Sequence, residues 1–135
     1  MGTNGTIGGG GFHHVAVLVK DFERSVRFYA DGLGFEKRYM VKLGETQIGL
    51  LDTGDGNYVE LVEETGGSVS GPCVVAHIAL RTTDCNVAIE AARRAGANIT
   101  KEPYDVDAPS EPPLHLRVAF CEGPDGELIE FVQDR

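Results

Sequence analysis

The sequence predicts an α+β fold built from two tandem βαβββ modules, and three observations carry that expectation. One pattern occurs twice: His14-Val-Ala-Val leads to Asp21, a helical stretch and then Tyr-Val-Glu60-Leu, and His77-Ile-Ala-Leu leads to Asp84, a helical stretch and then Leu-Ile-Glu130-Phe. The offset between copies is constant over their first halves, since 77 − 14 and 84 − 21 both equal 63. Within each copy the apolar period runs from two, to helical, and back to two, which is the trace of a duplicated strand-helix-strands unit.

Residues 12–19 read as a strand because Val15, Val17 and Val19 alternate with His14, Ala16 and Leu18, which sets His14 on the face away from the valines. Asp21 suits a helix N-cap, since its carboxylate can accept from the free amides of a first turn. Phe22, Val26, Tyr29 and Leu33 then recur at helical spacing and Gly34 closes the run, so a helix is expected over 22–32. Strands follow near 36–43, 46–52 and 57–63, the last carrying Glu60 alone between Val59 and Leu61. The glycines and the proline of Gly66-Gly67-Ser-Val-Ser-Gly71-Pro72 mark a linker.

The second module repeats the order. Ile78 and Leu80 alternate with His77 and Ala79 in a strand over 75–82, Asp84 caps, and Ala88, Ala91, Ala92 and Ala95 define a helix over 85–95 closed by Gly96. Strands are expected near 98–102, 115–121 and 127–132, with Glu130 between Ile129 and Phe131. The proline-rich, acidic stretch 103–113 reads as a long stiff loop, and Gly123-Pro-Asp-Gly126 as a turn before the last strand. Residues 1–11, more than half glycine, read as a flexible leader. Module one spans 12–65, the linker 66–73 and module two 74–135; neither half is large enough to bury much core alone, so 12–135 is expected to be one domain.

Composition excludes several classes. Twelve Lys and Arg against 21 Asp and Glu leave a net charge of −9 with no basic run, so the electrostatic footprint of nucleic-acid or anionic-membrane binding is missing. No apolar stretch has the length of a membrane span and no basic-then-apolar signal opens the chain, so a cytoplasmic protein is expected. Cys73, Cys85 and Cys121 are odd in number and lack CxxC spacing; they read as small buried residues, not a disulfide framework or a zinc ribbon.

A lone histidine in a strand is ordinarily structural, and a lone glutamate ordinarily faces water. Recurrence of both at matching positions makes His14, Glu60, His77 and Glu130 a candidate metal-ligand set. Two imidazoles and two carboxylates without thiolate suit a divalent Ni, Co, Zn, Mn or Fe ion, and not a structural zinc site. Four protein ligands on a six-coordinate ion leave two positions for neighbouring oxygens of a substrate. Lewis-acid action there would stabilise an enolate or enediolate, and a nearby carboxylate would move the proton. His13 is expected on the aliphatic side of its strand and His115 at the surface.

Taken in order, His14-Val-Ala-Val-Leu-Val-Lys-Asp21, Ser25-Val-Arg-Phe-Tyr29, Leu33-Gly-Phe35, Val59-Glu60-Leu61, His77-Ile-Ala-Leu and Gly123-Pro-Asp-Gly-Glu-Leu-Ile-Glu130-Phe resemble the glyoxalase / vicinal oxygen chelate superfamily over residues 12–133. The resemblance implies mixed sheets that curl around a metal-binding cavity, with His14, Glu60, His77 and Glu130 as metal ligands and Glu60 and Glu130 as catalytic carboxylates. It also implies a small-molecule substrate and a homodimer. The second carboxylate points away from extradiol dioxygenases, which use two histidines and one carboxylate. Retention of four ligands points away from bleomycin-resistance-type binders. The Gly-Pro-Asp-Gly-x-x-Ile-Glu ending is more similar to glyoxalase I, the lactoylglutathione lyase class, than to methylmalonyl-CoA-type epimerases.

The implied activity is that of a metal-dependent lyase or isomerase. A carboxylate removes the proton next to a carbonyl in a hemithioacetal or a similar substrate with vicinal oxygens, and returns it to a metal-bound enediolate. The alternatives are a methylmalonyl-CoA-type epimerase and a non-catalytic binding or resistance protein of the same fold. Leu18 stands where glutathione-dependent members carry arginine, and Glu64 where they carry asparagine, while Arg81 occupies the repeat-equivalent of Leu18. The thiol cosubstrate therefore stays open.

Overall fold

The alternation and capping signals fold as the sequence predicts in both copies. In the computed structural model, which describes residues 2–66, 74–124 and 126–135, module one contains β1 (Phe12–Val19), α1 (Phe22–Arg27), β2 (Glu36–Leu43), β3 (Thr46–Asp52) and β4 (Tyr58–Glu63). Module two contains β5 (Val74–Arg81), α2 (Cys85–Arg94), β6 (Asn98–Ala108), β7 (Leu114–Glu122) and β8 (Leu128–Asp134). The class is α+β. Both helices begin where the aspartates stand: Asp21 Oδ1 accepts from Arg24 N at 3.0 Å, and Asp84 Oδ1 accepts from Asn86 N at 2.8 Å.

The chain divides into two compact units, residues 14–76 with 108–114, and residues 1–13, 77–107 and 115–135. In the first, the strand order is β2-β3-β4-β1, with β1 parallel to β4 and the other neighbours antiparallel. The valine face of β1 (Val17, Val19) closes with Phe22 and Val26 of α1 and with Leu51 and Leu61 into an apolar core, as the alternation requires. In the second, the order is β5-β8-β7-β6, with β5 parallel to β8 and β8 antiparallel to β7. Cys85, Ala88 and Ile89 of α2 pack there on Ala119, Cys121 and Phe131.

Four expectations meet a different outcome or fall outside the described residues. The expected helix over 22–32 is α for one part and a π-type turn over Phe28–Gly32 for the rest. Leu33 N donates to Phe28 O five residues back, at 3.1 Å. The wider turn rotates later positions off the helical stripe, so Leu33 is 54% exposed, and Phe35 packs against the core instead.

The stretch 103–108 is strand, not loop: β6 runs unbroken through Pro103 to Ala108. Among the described residues β6 ends its strand order, and an edge strand is where proline is tolerated in a sheet. The acidic residues of that stretch pair with cations of the neighbouring elements. Asp105 pairs with Arg117 at 2.7 Å, and Asp107 with His115 at 2.6 Å and Arg135 at 3.0 Å. Hydrogen bonding, first from His115 and then from Arg135, holds the Asp107 carboxyl below the ordinary value of 3.8.

A depressed folded value means the stabilisation is complete above the unfolded value and is lost as pH falls through the folded one. Protection against hydrogen exchange at β6 and at the Arg135 amide, relative to the unfolded chain at the same pH, is therefore expected to fall in acid below about pH 4. Asp107→Asn should exchange faster than wild type near neutrality, and the gap should close as acid is added.

The glycine-rich leader is not a structureless tail. Residues Gly5–Ile7 make a 3-10 turn capped by Asn4, and Ile7 packs on the Cys85, Ala88 and Ile89 cluster. The linker 67–73 lies outside the described residues, and so does Cys73. Cys85 and Cys121 are buried free thiols, as expected. Burial pushes Cys85 up to about 11, and its Sγ donates to Arg117 O at 3.1 Å, which leaves it a packing residue with no nucleophile to offer. No helix among the described residues is long and apolar enough to cross a membrane.

Candidate metal centre

The two His/Glu pairs are built the same way, one in each unit. In the first, parallel pairing of β1 with β4 sets Ala16 against Glu60, which places Glu60 on the His14 face two residues further along. His14 Nε2 lies 3.3 Å from Glu60 Oε2, and the histidine side chain is only 2% exposed. In the second, parallel pairing of β5 with β8 sets Ala79 against Glu130, again two residues beyond the histidine. His77 Nε2 lies 3.0 Å from Glu130 Oε2. The duplication read from spacing is thus a duplication of register, atom type and contact.

Half-buried or buried carboxylates facing imidazoles are costly unless a positive charge compensates them. Two imidazole nitrogens and carboxylate oxygens without thiolate are the donors a borderline divalent cation takes. The residues present therefore fit a divalent ion of that type.

The other histidines fall where the sequence sets them. His13 is buried, and as the neighbour of His14 in a strand it belongs to the opposite face. His115 is exposed and bonds Asp107 through Nδ1. Leu18 is half-buried on β1, the Arg81 guanidinium donates to Phe12 O, and Glu64 Oε1 accepts from Gly66 N at 2.7 Å. Gly123 and Gly126 close the expected turn through a Gly126 N to Gly123 O bond of 3.0 Å. A cleft of about 330 Å³ in the first unit is lined by Phe22, Met40, Lys42 and Ile48 among others and includes none of the four candidate ligands.

Sequence reasoning missed the surroundings of the second pair. Phe120 is the antiparallel partner of Glu130, and its ring meets that of His77 edge-on with centroids 5.9 Å apart. Tyr104 stacks at 6.5 Å beyond Phe120, and Lys101 Nζ stands 5.7 Å and 5.6 Å from the two ring centres. The neighbouring cations Arg93, Arg117 and Arg135 are all paired with carboxylates, whereas Lys101 forms no ion pair among the described residues. Reading 103–113 as loop hid Tyr104; a strand period carried through Pro103 would have placed it beside Phe120.

A family model described as the Glyoxalase/Bleomycin resistance protein/Dioxygenase superfamily matches residues 11–131. The chain belongs to that superfamily. Among the relatives of this superfamily member, a lactoylglutathione lyase of Haemophilus influenzae is 30% identical over 132 residues, covering 90% of this chain and 91% of the relative. Solved structures share the glyoxalase fold at lower identity. The hypothetical protein BH1468 of Bacillus halodurans has a TM-score of 0.75 at 19% identity, over 93% of this chain and 95% of that one. Methylmalonyl-CoA epimerase of Mycobacterium tuberculosis also has a TM-score of 0.75, at 21% identity, over 93% and 88%.

Proposed function

We propose that this superfamily member is a metal-dependent lyase of the glyoxalase I type. In this reading His14, Glu60, His77 and Glu130 hold one divalent ion, with Ni, Co or Zn ahead of Mn or Fe. The observation that carries it is the repeated imidazole-carboxylate pair at 3.3 Å and 3.0 Å, supported by the 30% identity to a lactoylglutathione lyase over nine-tenths of both chains. When bound, the ion would supply Lewis-acid stabilisation of negative charge on neighbouring substrate oxygens.

The chain's own residues move the proton. In a hemithioacetal of an α-keto aldehyde, a carboxylate takes the proton from the carbon bearing sulfur, and the electron pair moves onto the adjacent carbonyl. The same carboxylic acid then gives its proton to the former carbonyl carbon, and the hydroxyl proton of the sulfur-bearing carbon passes to the former carbonyl oxygen, leaving a thioester carbonyl beside a new hydroxyl. Glu130 is taken as the base, with Glu60 as the alternative.

Lys101, poised over Tyr104 and Phe120, suits an acidic group on the thiol half of the substrate. Lys101→Ala is expected to raise KM about tenfold for an acid-bearing thiol adduct, with kcat nearly unchanged and no effect for an uncharged thiol. The test of the overall reading is thioester formation from methylglyoxal with glutathione, cysteine-containing and uncharged thiols in turn, using Ni-loaded protein. Turnover with any of them supports the lyase. Racemisation of methylmalonyl-CoA without thioester formation would replace it with the epimerase, and binding without either reaction would leave a small-molecule binder.

A further inference from the structure

The segment ahead of β1 takes no part in the chemistry above, yet it is bonded repeatedly to the end of β5. Gly8 O accepts from Thr83 N at 2.8 Å and from Thr83 Oγ1 at 2.9 Å, Gly11 O accepts from Arg81 N at 2.7 Å, and the Arg81 guanidinium donates to Phe12 O. Asn4 and Gly9 exchange two backbone bonds of 2.8 Å that close the segment on itself, and Ile7 packs on the α2 cluster. Gly8 to Gly11 have φ of 75°, 105°, 64° and 108°, a path that side-chain-bearing L residues do not trace without strain. At Gly8 a Cβ would also stand 2.6 Å from Thr82 Oγ1.

These attachments sit close to the candidate ligands in the chain. Phe12 precedes His14 by two residues, and Arg81 follows by two the Ala79 that pairs with Glu130. We propose that residues 4–12 form a strap that positions the start of β1, and with it His14, for metal binding. Its role in metal binding rests on the metal-centre reading; the fastening of β1 does not. A strand end without such fastening frays at little cost, and a ligand two residues inside a frayed end loses its fixed position.

Gly8→Ala in the full chain releases the strap, while Gly5→Ala is the matched control, because a Cβ at Gly5 meets nothing within 4 Å. Ile7→Ser, which withdraws the packing and leaves the backbone path free, is the second variant. Hydrogen exchange in chelator-treated protein and Ni²⁺ affinity are read together. The strap predicts at least about tenfold faster exchange at Arg81 and Thr83, spreading to residues 13–15, in Gly8→Ala and Ile7→Ser. It also predicts about tenfold weaker Ni²⁺ binding in both, with neither change in Gly5→Ala.

Exchange confined to Arg81 and Thr83, or unchanged Ni²⁺ affinity in a released variant, overturns the proposal. Should the wild type bind no Ni²⁺, the metal-centre reading fails, and the strap stands or falls on whether exchange spreads to residues 13–15.

Discussion

Glu60→Ala is expected to cost the protein more than about a hundredfold in Ni²⁺ affinity, given that outer-shell partners of metal ligands alone account for 10–100-fold. Glu60 meets His14 at 3.3 Å. Removing its carboxylate takes away a donor and part of the negative charge that draws a cation. The fold should tolerate the change. Glu60 sits between Val59 and Leu61, and it is Leu61, fully buried, that belongs to the apolar core. Truncating a partly exposed carboxylate on the other face of β4 opens no cavity in that core.

The metal-free variant should therefore melt no lower than metal-free wild type, while wild type alone gains stability when Ni²⁺ is added, because an ion bound only by the folded state shifts the unfolding equilibrium. Calorimetric titration of chelator-stripped protein, with thermal melts beside it, checks both halves. Glu130→Ala should weaken binding as well, but less than Glu60→Ala. Ni²⁺ binding indifferent to Glu60 would sink the metal centre and every step of chemistry placed on it.

Most of the architecture was legible because two local signals acted together at each element. Around β1 and β5 the alternation of aliphatics with His14 and His77 set the faces, and Asp21 and Asp84 set the helix starts; both act over a few residues and need no partner to be read. The metal candidates were legible for a different reason: a strand His and a later strand Glu recur in both modules, and parallel pairing with the same two-residue offset gives both pairs one register although their sequence spacings differ.

What could not be read depends on neighbours distant in sequence. Pro103 looks like a loop residue until β6 is known to end its strand order, and Asp105 and Asp107 look like solvent charges until Arg117, His115 and Arg135 stand opposite. Leu33 fits the helical stripe until a π-type turn shifts it outward. The glycines at 8–11 carry no period at all, and their left-handed path shows only in the folded backbone. Tyr104 lay in the misread part of β6 and was lost with it.

Glu130→Gln and Glu60→Gln should separate proton transfer from metal retention. Glutamine keeps the volume and one carbonyl oxygen of glutamate but cannot accept a proton at the pH of the assay. If Glu130 is the base, its replacement lowers the rate of solvent exchange at the substrate carbon, and thioester formation with it, by on the order of 10²–10⁴-fold, the range in which a positioned general base contributes. Ni²⁺ affinity in that variant should change by only about threefold, since a carbonyl oxygen remains in place.

Glu60→Gln should invert the balance: weaker Ni²⁺ binding, but near-normal proton exchange once the ion is saturating. Equal loss of exchange in Glu60→Gln and Glu130→Gln at saturating Ni²⁺ would remove the assignment of Glu130 and make the two carboxylates a jointly acting pair.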